Sequence, residues 1–207
     1  MNFVELFAGS AIMSKVAAAH GFRTMTTDAQ PFLGINLVSD VRTLRREHFP
    51  PTVNVLWASP PCTTFSVASI GHHWKGGYRA YVPKSEAAKE GLAILHATLR
   101  IIEMIKPDVW FIENPRGLMR KMPCMQNLPR HTVTYCQYGE KRMKPTDIWT
   151  NSMTWQPRPM CRNGAPCHEA APRGSRTGTQ GLSNNYERSK LPVNLCEEIV
   201  CSTLKHT

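Results

Sequence analysis

Two polar side chains stand where apolar runs give way to proline. The segment Trp57-Ala58-Ser59-Pro60-Pro61-Cys62-Thr63-Thr64-Phe65-Ser66 follows the apolar run Val53 to Trp57. Such a run reads as a short buried strand, and two prolines stop it. A thiol is then presented where a strand becomes a loop, the place where open α/β sheets hold their ligands. There Cys62 is a candidate nucleophile; the plainer reading is a small buried hydrophobe, as free cysteines commonly are. The layout recurs at Asp108-Val109-Trp110-Phe111-Ile112, which delivers Glu113-Asn114-Pro115-Arg116-Gly117. In a parallel sheet the tips of successive strands share one edge, so Glu113 is expected beside Cys62 as an acid able to move a proton. Its plainer reading is a helix-cap carboxylate.

Other elements must complete that edge. Phe3 to Phe7 reads as a strand running into a turn, Phe7-Ala8-Gly9-Ser10. Ser10 is the expected N-cap of a helix over Ala11 to His20, and Gly21 stands where a C-cap glycine belongs. A strand–glycine turn–helix unit lets backbone approach a small molecule at a helix N-terminus. Arg23 to Thr27 is a second strand ending in Asp28, an acid placed to accept both hydroxyls of a ribose. Asp40 is a further loop acid, able to accept from an adenine amino group. Taken singly, both acids also read as solvated turn residues.

After the first Pro-Cys junction comes a long loop, Thr63 to Ser85. It interleaves Trp74, Tyr78 and Tyr81 with His72, His73, Lys75, Arg79 and Lys84. That pattern suits phosphates and unstacked bases, and the loop reads as a lid over nucleic acid. Glu86 to Lys106 is the clearest helix: Leu92, Leu95, Leu99, Ile102 and Ile105 form one apolar stripe, and Pro107 ends it. Thr132 to Gln137 and Asp147 to Asn151 read as two more strands. Leu191 to Leu195 leads into a short terminal helix with Pro192 in its first turn.

The 207 residues are enough for one domain with a real core. No apolar run approaches the roughly 20 residues of a membrane span, and no leader is expected ahead of the first strand. The net charge of +10 favours a polyanionic partner, nucleic acid before others. Seven irregularly spaced cysteines suggest reduced thiols in a cytoplasm rather than a disulfide framework. No internal repeat is visible.

Together these motifs resemble the DNA cytosine-5 methyltransferases. Phe7-Ala8-Gly9-Ser10 looks like the family's cofactor turn, and Pro60-Pro61-Cys62-Thr63-Thr64-Phe65-Ser66 like its nucleophile motif. Glu113-Asn114-Pro115 is similar to the motif holding the catalytic acid. Tyr138-Gly139 resembles the start of the segment before an Arg-rich strand. Pro192 and its helix are similar to the terminal motif that completes the cofactor pocket. The resemblance implies an α/β fold of the Rossmann-like methyltransferase class, mostly parallel, with helices on both faces. It implies S-adenosylmethionine as cofactor, bound by Phe7, Ala8, Gly9, Ser10, Asp28, Asp40, Pro60 and Pro192. It implies DNA as partner and substrate, with Cys62, Glu113, Arg142 and Lys144 catalytic. The chain departs from the family at Arg142, Lys144 and Thr146, where only part of a basic set survives. It also has only Ser152 to Asn185, rich in Pro, Gly and Arg, where a target-recognition region normally stands.

Three parts follow: a catalytic core over 1–151, a short insert over 152–185, and a returning segment over 186–207. Sequence choice would then be loose, or supplied by the lid or a second subunit. An RNA cytosine-5 methyltransferase and a non-catalytic nucleic-acid-binding relative are the rival readings. The compact length suits a phage or mobile element. Cys161, Cys167 and His168 are weak candidates for part of a zinc site; their spacing is not a standard one and no fourth ligand is evident.

Overall fold

In the computed structural model, residues 1–77, 80–170 and 184–204 are described. The elements run β1 (Asn2–Leu6), α1 (Ile12–Ala19), β2 (Arg23–Asp28), β3 (Leu37–Val38) and β4 (Val55–Ala58). Then come α2 (Ile70–His73), β5 (Trp74–Lys75), β6 (Val82–Pro83), α3 (Glu86–Ile105) and β7 (Val109–Pro115). The chain closes with β8 (Arg130–Thr134), β9 (Pro145–Thr150), α4 (Asn185–Ser189) and α5 (Val193–Thr203).

Among the described residues the main sheet has the order β3-β2-β1-β4-β7-β9-β8. Strands β3, β2, β1, β4 and β7 are mutually parallel, and β9 lies antiparallel between β7 and β8. This is the mostly parallel α/β architecture expected. Alternate side chains point to opposite faces. Val4, Leu6, Leu56, Ala58 and Ile112 therefore pack in the core that α3 covers. Phe3, Val55, Trp57, Phe111 and Ile148 pack in the other, under α1 and α5. Burial on both faces is why these strands read as unbroken apolar runs.

Several local expectations are corrected. Ser10 does not cap α1. Ala11 occupies the cap position in the left-handed region, and no side chain of the cap residue bonds the helix. The buried Glu5 carboxylate takes the role from the neighbouring strand, accepting from Ser14 N at 2.8 Å. Helix α3 is capped by Ser85, which accepts from Ala88 N. Its buried face carries Ala88, Gly91, Leu95, Thr98, Ile101 and Ile105, so Leu92, Leu99 and Ile102 flank the seam rather than forming it. Pro192 precedes the first turn of α5 as its cap residue.

The segment Thr63 to Ser85 is not one open loop. It holds two 3-10 turns, α2 and the β5–β6 ribbon. Trp74 is not available to stack a base: it is buried against Phe65 and donates its indole N–H to Thr64 O at 2.7 Å. Tyr81 packs against the α3-side core. Tyr78 and Arg79 lie outside the described residues, as do 171–183 of the insert and 205–207. The described part of the insert after β9 carries no helix or strand before α4.

Candidate active site

A cavity of about 930 Å³ opens at the carboxyl edge of β1, β4 and β7. Its walls come from three strand tips. The β1 tip contributes Phe7, Ala8, Gly9 and Ser10, the β4 tip Ser59 through Thr63, and β7 contributes Glu113. Cys62 and Glu113 thus line one cavity although they stand far apart in sequence.

The β1 turn is bent hard. Phe7, Gly9 and Ala11 have φ of 59°, 49° and 53°. Positive φ at non-glycine residues persists only where the surroundings impose it. Two acids do so here. Glu5 holds the first turn of α1, and Asp28 at the end of β2 accepts from Gly9 N at 3.0 Å and Gln30 N at 2.9 Å. Glu5 lines the cavity. It is 2% exposed, and burial raises its pKa to about 7 against the pull of Ser14 N–H. Asp40 follows β3 on the same edge. It caps a 3-10 turn and pairs with Arg42, whose hydrogen bond lowers its pKa. Asp28 and Asp40 are not among the residues lining the 930 Å³ cavity.

The loop that carries Cys62 is held from two sides. Asn114 on β7 donates from Nδ2 to Pro60 O at 2.8 Å. Gly91 of α3 and Gly117 leave room for the turn after Cys62. A Cβ on Gly91 would stand 2.6 Å from Thr64 Oγ1, and one on Gly117 would stand 2.3 Å from Phe65 O. Cys62 remains exposed at the cavity. Its pKa is raised, first by desolvation and then by the Glu113 charge; Lys144 and Arg188 oppose this.

Glu113 lies within β7, opposite Ile148 of β9, rather than beyond the strand end. It is 5% exposed. Desolvation raises its pKa; Lys144 and hydrogen bonds from Tyr135 and Ser59 work against that. The Tyr135 hydroxyl donates to Oε1 at 2.9 Å. Burial is what shifts Glu113 towards its protonated form, and protonation also removes its repulsion of a Cys62 thiolate.

The two basic candidates separate. Lys144 lines the cavity, with φ of 30° and Nζ 4.5 Å from the Tyr135 ring centroid. Its amine donates to Arg188 O at 2.9 Å. Arg142 does not reach this cavity. It is buried, paired with Glu140 at 2.9 Å and bonded to Arg188 O. Arg142 and Pro192 line a neighbouring depression of about 710 Å³ that shares Ile12 and Leu191 with the first.

Sequence reading missed four contributors: Glu5, Ser59, Tyr135 and Arg188. Ser59 lay inside a recognised motif and Glu5 inside an apolar run. Tyr135 and Arg188 carry no local signal, because only sheet pairing brings Tyr135 behind Glu113 and only the return of the chain brings Arg188 to the cavity.

Residues 1–128 match the family model for C-5 cytosine-specific DNA methylase. Over 181 residues the chain is 27% identical to the "Probable DNA (cytosine-5)-methyltransferase" of Frog virus 3 (isolate Goorha), covering 85% of this chain and 83% of that protein. It is 30% identical over 129 residues to the type II methyltransferase M.CviJI of Paramecium bursaria Chlorella virus IL3A, covering 56% of this chain and 30% of that one. A solved "putative DNA modification methyltransferase" encoded within an E. coli prophage superposes with a TM-score of 0.53 at 16% identity. The match covers 83% of this chain and 57% of the other, and it speaks to fold alone. The chain thus spans most of the frog-virus relative and less than two thirds of the other two.

Proposed function

Because the chain belongs to the C-5 cytosine-specific DNA methylase family, we propose that it methylates C5 of cytosine in DNA through a transient bond between Cys62 and the base. The observation carrying this reading is the single cavity lined by the Cys62 thiol, the buried Glu113 carboxyl and the Phe7–Ser10 turn.

The residues fit the implied cofactor. The strained turn offers backbone at a helix N-terminus, and Asp28 fixes Gly9 beside it. A cavity of about 930 Å³ is at the upper end of the range for ligand pockets, which leaves room for a base as well. Phe7 to Ser10, Pro60 and Asp28 would hold S-adenosylmethionine, with Asp40 farther along the same edge and Leu191 and Pro192 closing from the terminal segment. When bound, it supplies an electrophilic methyl group.

The chain's own residues do the rest. C5 of cytosine is a poor nucleophile until a group adds at C6. The Cys62 thiolate forms the S–C6 bond while Glu113 gives its proton to N3, so the ring becomes an enamine with an electron-rich C5. Lys144 and Arg188 provide the positive surroundings a thiolate requires. After C5 is methylated, a base removes the C5 proton, the S–C6 bond breaks and the N3 proton returns to Glu113. A stacked cytosine cannot reach a thiol inside a cavity, so the nucleotide swings out of the duplex at a cost of a few kcal/mol.

Bisulfite sequencing of DNA from cells expressing the protein tests the reading. Protected cytosines in a defined context are expected, and none with Cys62→Ala. An unmodified genome alongside methylated RNA would move the substrate to RNA.

A further inference from the structure

A second cluster of reactive side chains lies away from the methyl-transfer cavity. Cys136 sits in the 3-10 turn Tyr135–Tyr138 that follows β8. Cys161, Cys167 and His168 belong to the irregular segment after β9. The four ligand atoms, three sulfurs and one imidazole nitrogen, all lie within 4.8 Å of one another. Cys161 Sγ is 3.1 Å from Cys167 Sγ and 3.4 Å from His168 Nδ1, and Cys167 Sγ is 3.7 Å from that nitrogen.

All seven cysteines are free, and 3.1 Å is well beyond a disulfide bond of about 2.05 Å. Nor does the group resemble ordinary packing, because thiols are weak hydrogen-bond partners and gain little by crowding. A tetrahedral ion with zinc–sulfur bonds of about 2.3 Å would set its ligand atoms roughly 3.5–3.8 Å apart. The backbone already fixes part of this set: Cys161 N donates to Thr134 Oγ1 at 2.8 Å. Gln137 Nε2 lies 3.4 Å from Cys167 Sγ, a donor in the outer shell that a metal-bound thiolate uses.

We propose that Cys136, Cys161, Cys167 and His168 form a structural zinc site that staples the segment after β9 to the turn after β8. The segment needs such a staple. Of its described residues from Ser152 to Ala170, only Ser152, Trp155 and Cys161 are buried. A stretch with so little core gains order from a metal. The turn being stapled also carries Tyr135, the donor to Glu113, so the site would steady one wall of the neighbouring cavity. Three thiol protons are released when the ion binds.

The test is elemental analysis of the full chain purified under reducing conditions without chelator. One zinc per chain is expected. Cobalt exchanged into the protein should show the intense visible bands of a tetrahedral thiolate site. Zinc should fall to background in Cys136→Ser and in Cys167→Ser; the latter changes an exposed position and keeps the test open if the buried change prevents folding. Cys201→Ser, at a separate grouping with His20 and Glu197, should retain the metal. The proposal is overturned if folded protein holds no zinc after incubation with the ion, if zinc survives in the folded Cys167→Ser variant, if Cys201→Ser alone removes it, or if mass spectrometry finds a Cys161–Cys167 disulfide in the native protein.

Discussion

The Tyr135 hydroxyl donates a 2.9 Å hydrogen bond to Oε1 of Glu113 at the buried wall of the cavity. The two residues come from different elements: Glu113 from β7, and Tyr135 from the 3-10 turn directly after β8, with β9 between the two strands. Burial pushes the carboxyl towards its protonated form, and the tyrosine pulls it back. Glu113 is therefore poised to give up a proton as well as to hold one.

Glu113→Gln keeps the shape and removes the transferable proton. Single-turnover methyl transfer should fall by roughly 10²–10⁴-fold, the usual worth of a general acid. Tyr135→Phe removes a bond that favours the carboxylate, so the Glu113 pKa rises. An acid that must be protonated loses activity as pH climbs through its pKa, so the alkaline limb of the rate profile should move to higher pH.

Cys62→Ala should abolish incorporation of labelled methyl groups while leaving cofactor binding intact by calorimetry. Methylated product from this variant would remove the thiol from the mechanism.

Asp28→Ala deletes the acceptor for Gly9 N–H and frees the strained turn. Cofactor affinity should weaken by at least about tenfold, or 1.4 kcal/mol. Asp40→Ala should act in the same direction, with DNA affinity unchanged in both. Titration calorimetry with each ligand separates these effects.

Gly117→Ala would set a methyl group 2.3 Å from Phe65 O. The backbone there is extended and suits any residue, so the cost is the clash. A stability loss of about 1–3 kcal/mol is expected from such overpacking. The turn after Cys62 should shift, lowering the methylation rate more than cofactor affinity. Thermal melts and steady-state kinetics would show both.

Glu5→Gln should stabilise the fold at alkaline pH. The Glu5 pKa is about 7 when folded and near 4.5 when unfolded. Between those values the folded state holds the extra proton, so stability falls as pH rises and then levels off above about 7. Glutamine can still accept from Ser14 N and carries no charge to bury. Its gain in stability should grow from pH 5 to pH 8, towards an upper bound of about 3 kcal/mol, and thermal melts across that range would show it.

The amino-acid order alone determines much of this protein. Apolar runs stopped by proline announce the strands that present Cys62 and Glu113, and Gly9 after Phe7 announces the turn. These signals are local, since each depends on neighbours a few residues away. Only the tertiary structure decides which basic group serves the site. Arg142 and Lys144 both precede β9, yet Lys144 lies over Tyr135 in the cavity while Arg142 is spent on Glu140. It likewise brings Cys136 to Cys161, Cys167 and His168, and substitutes Glu5 for Ser10 at the start of α1. The physical reason is common to all three. Pairing between strands and the return of a chain across them depend on register and burial summed over the whole sheet, and no short window of sequence contains that sum.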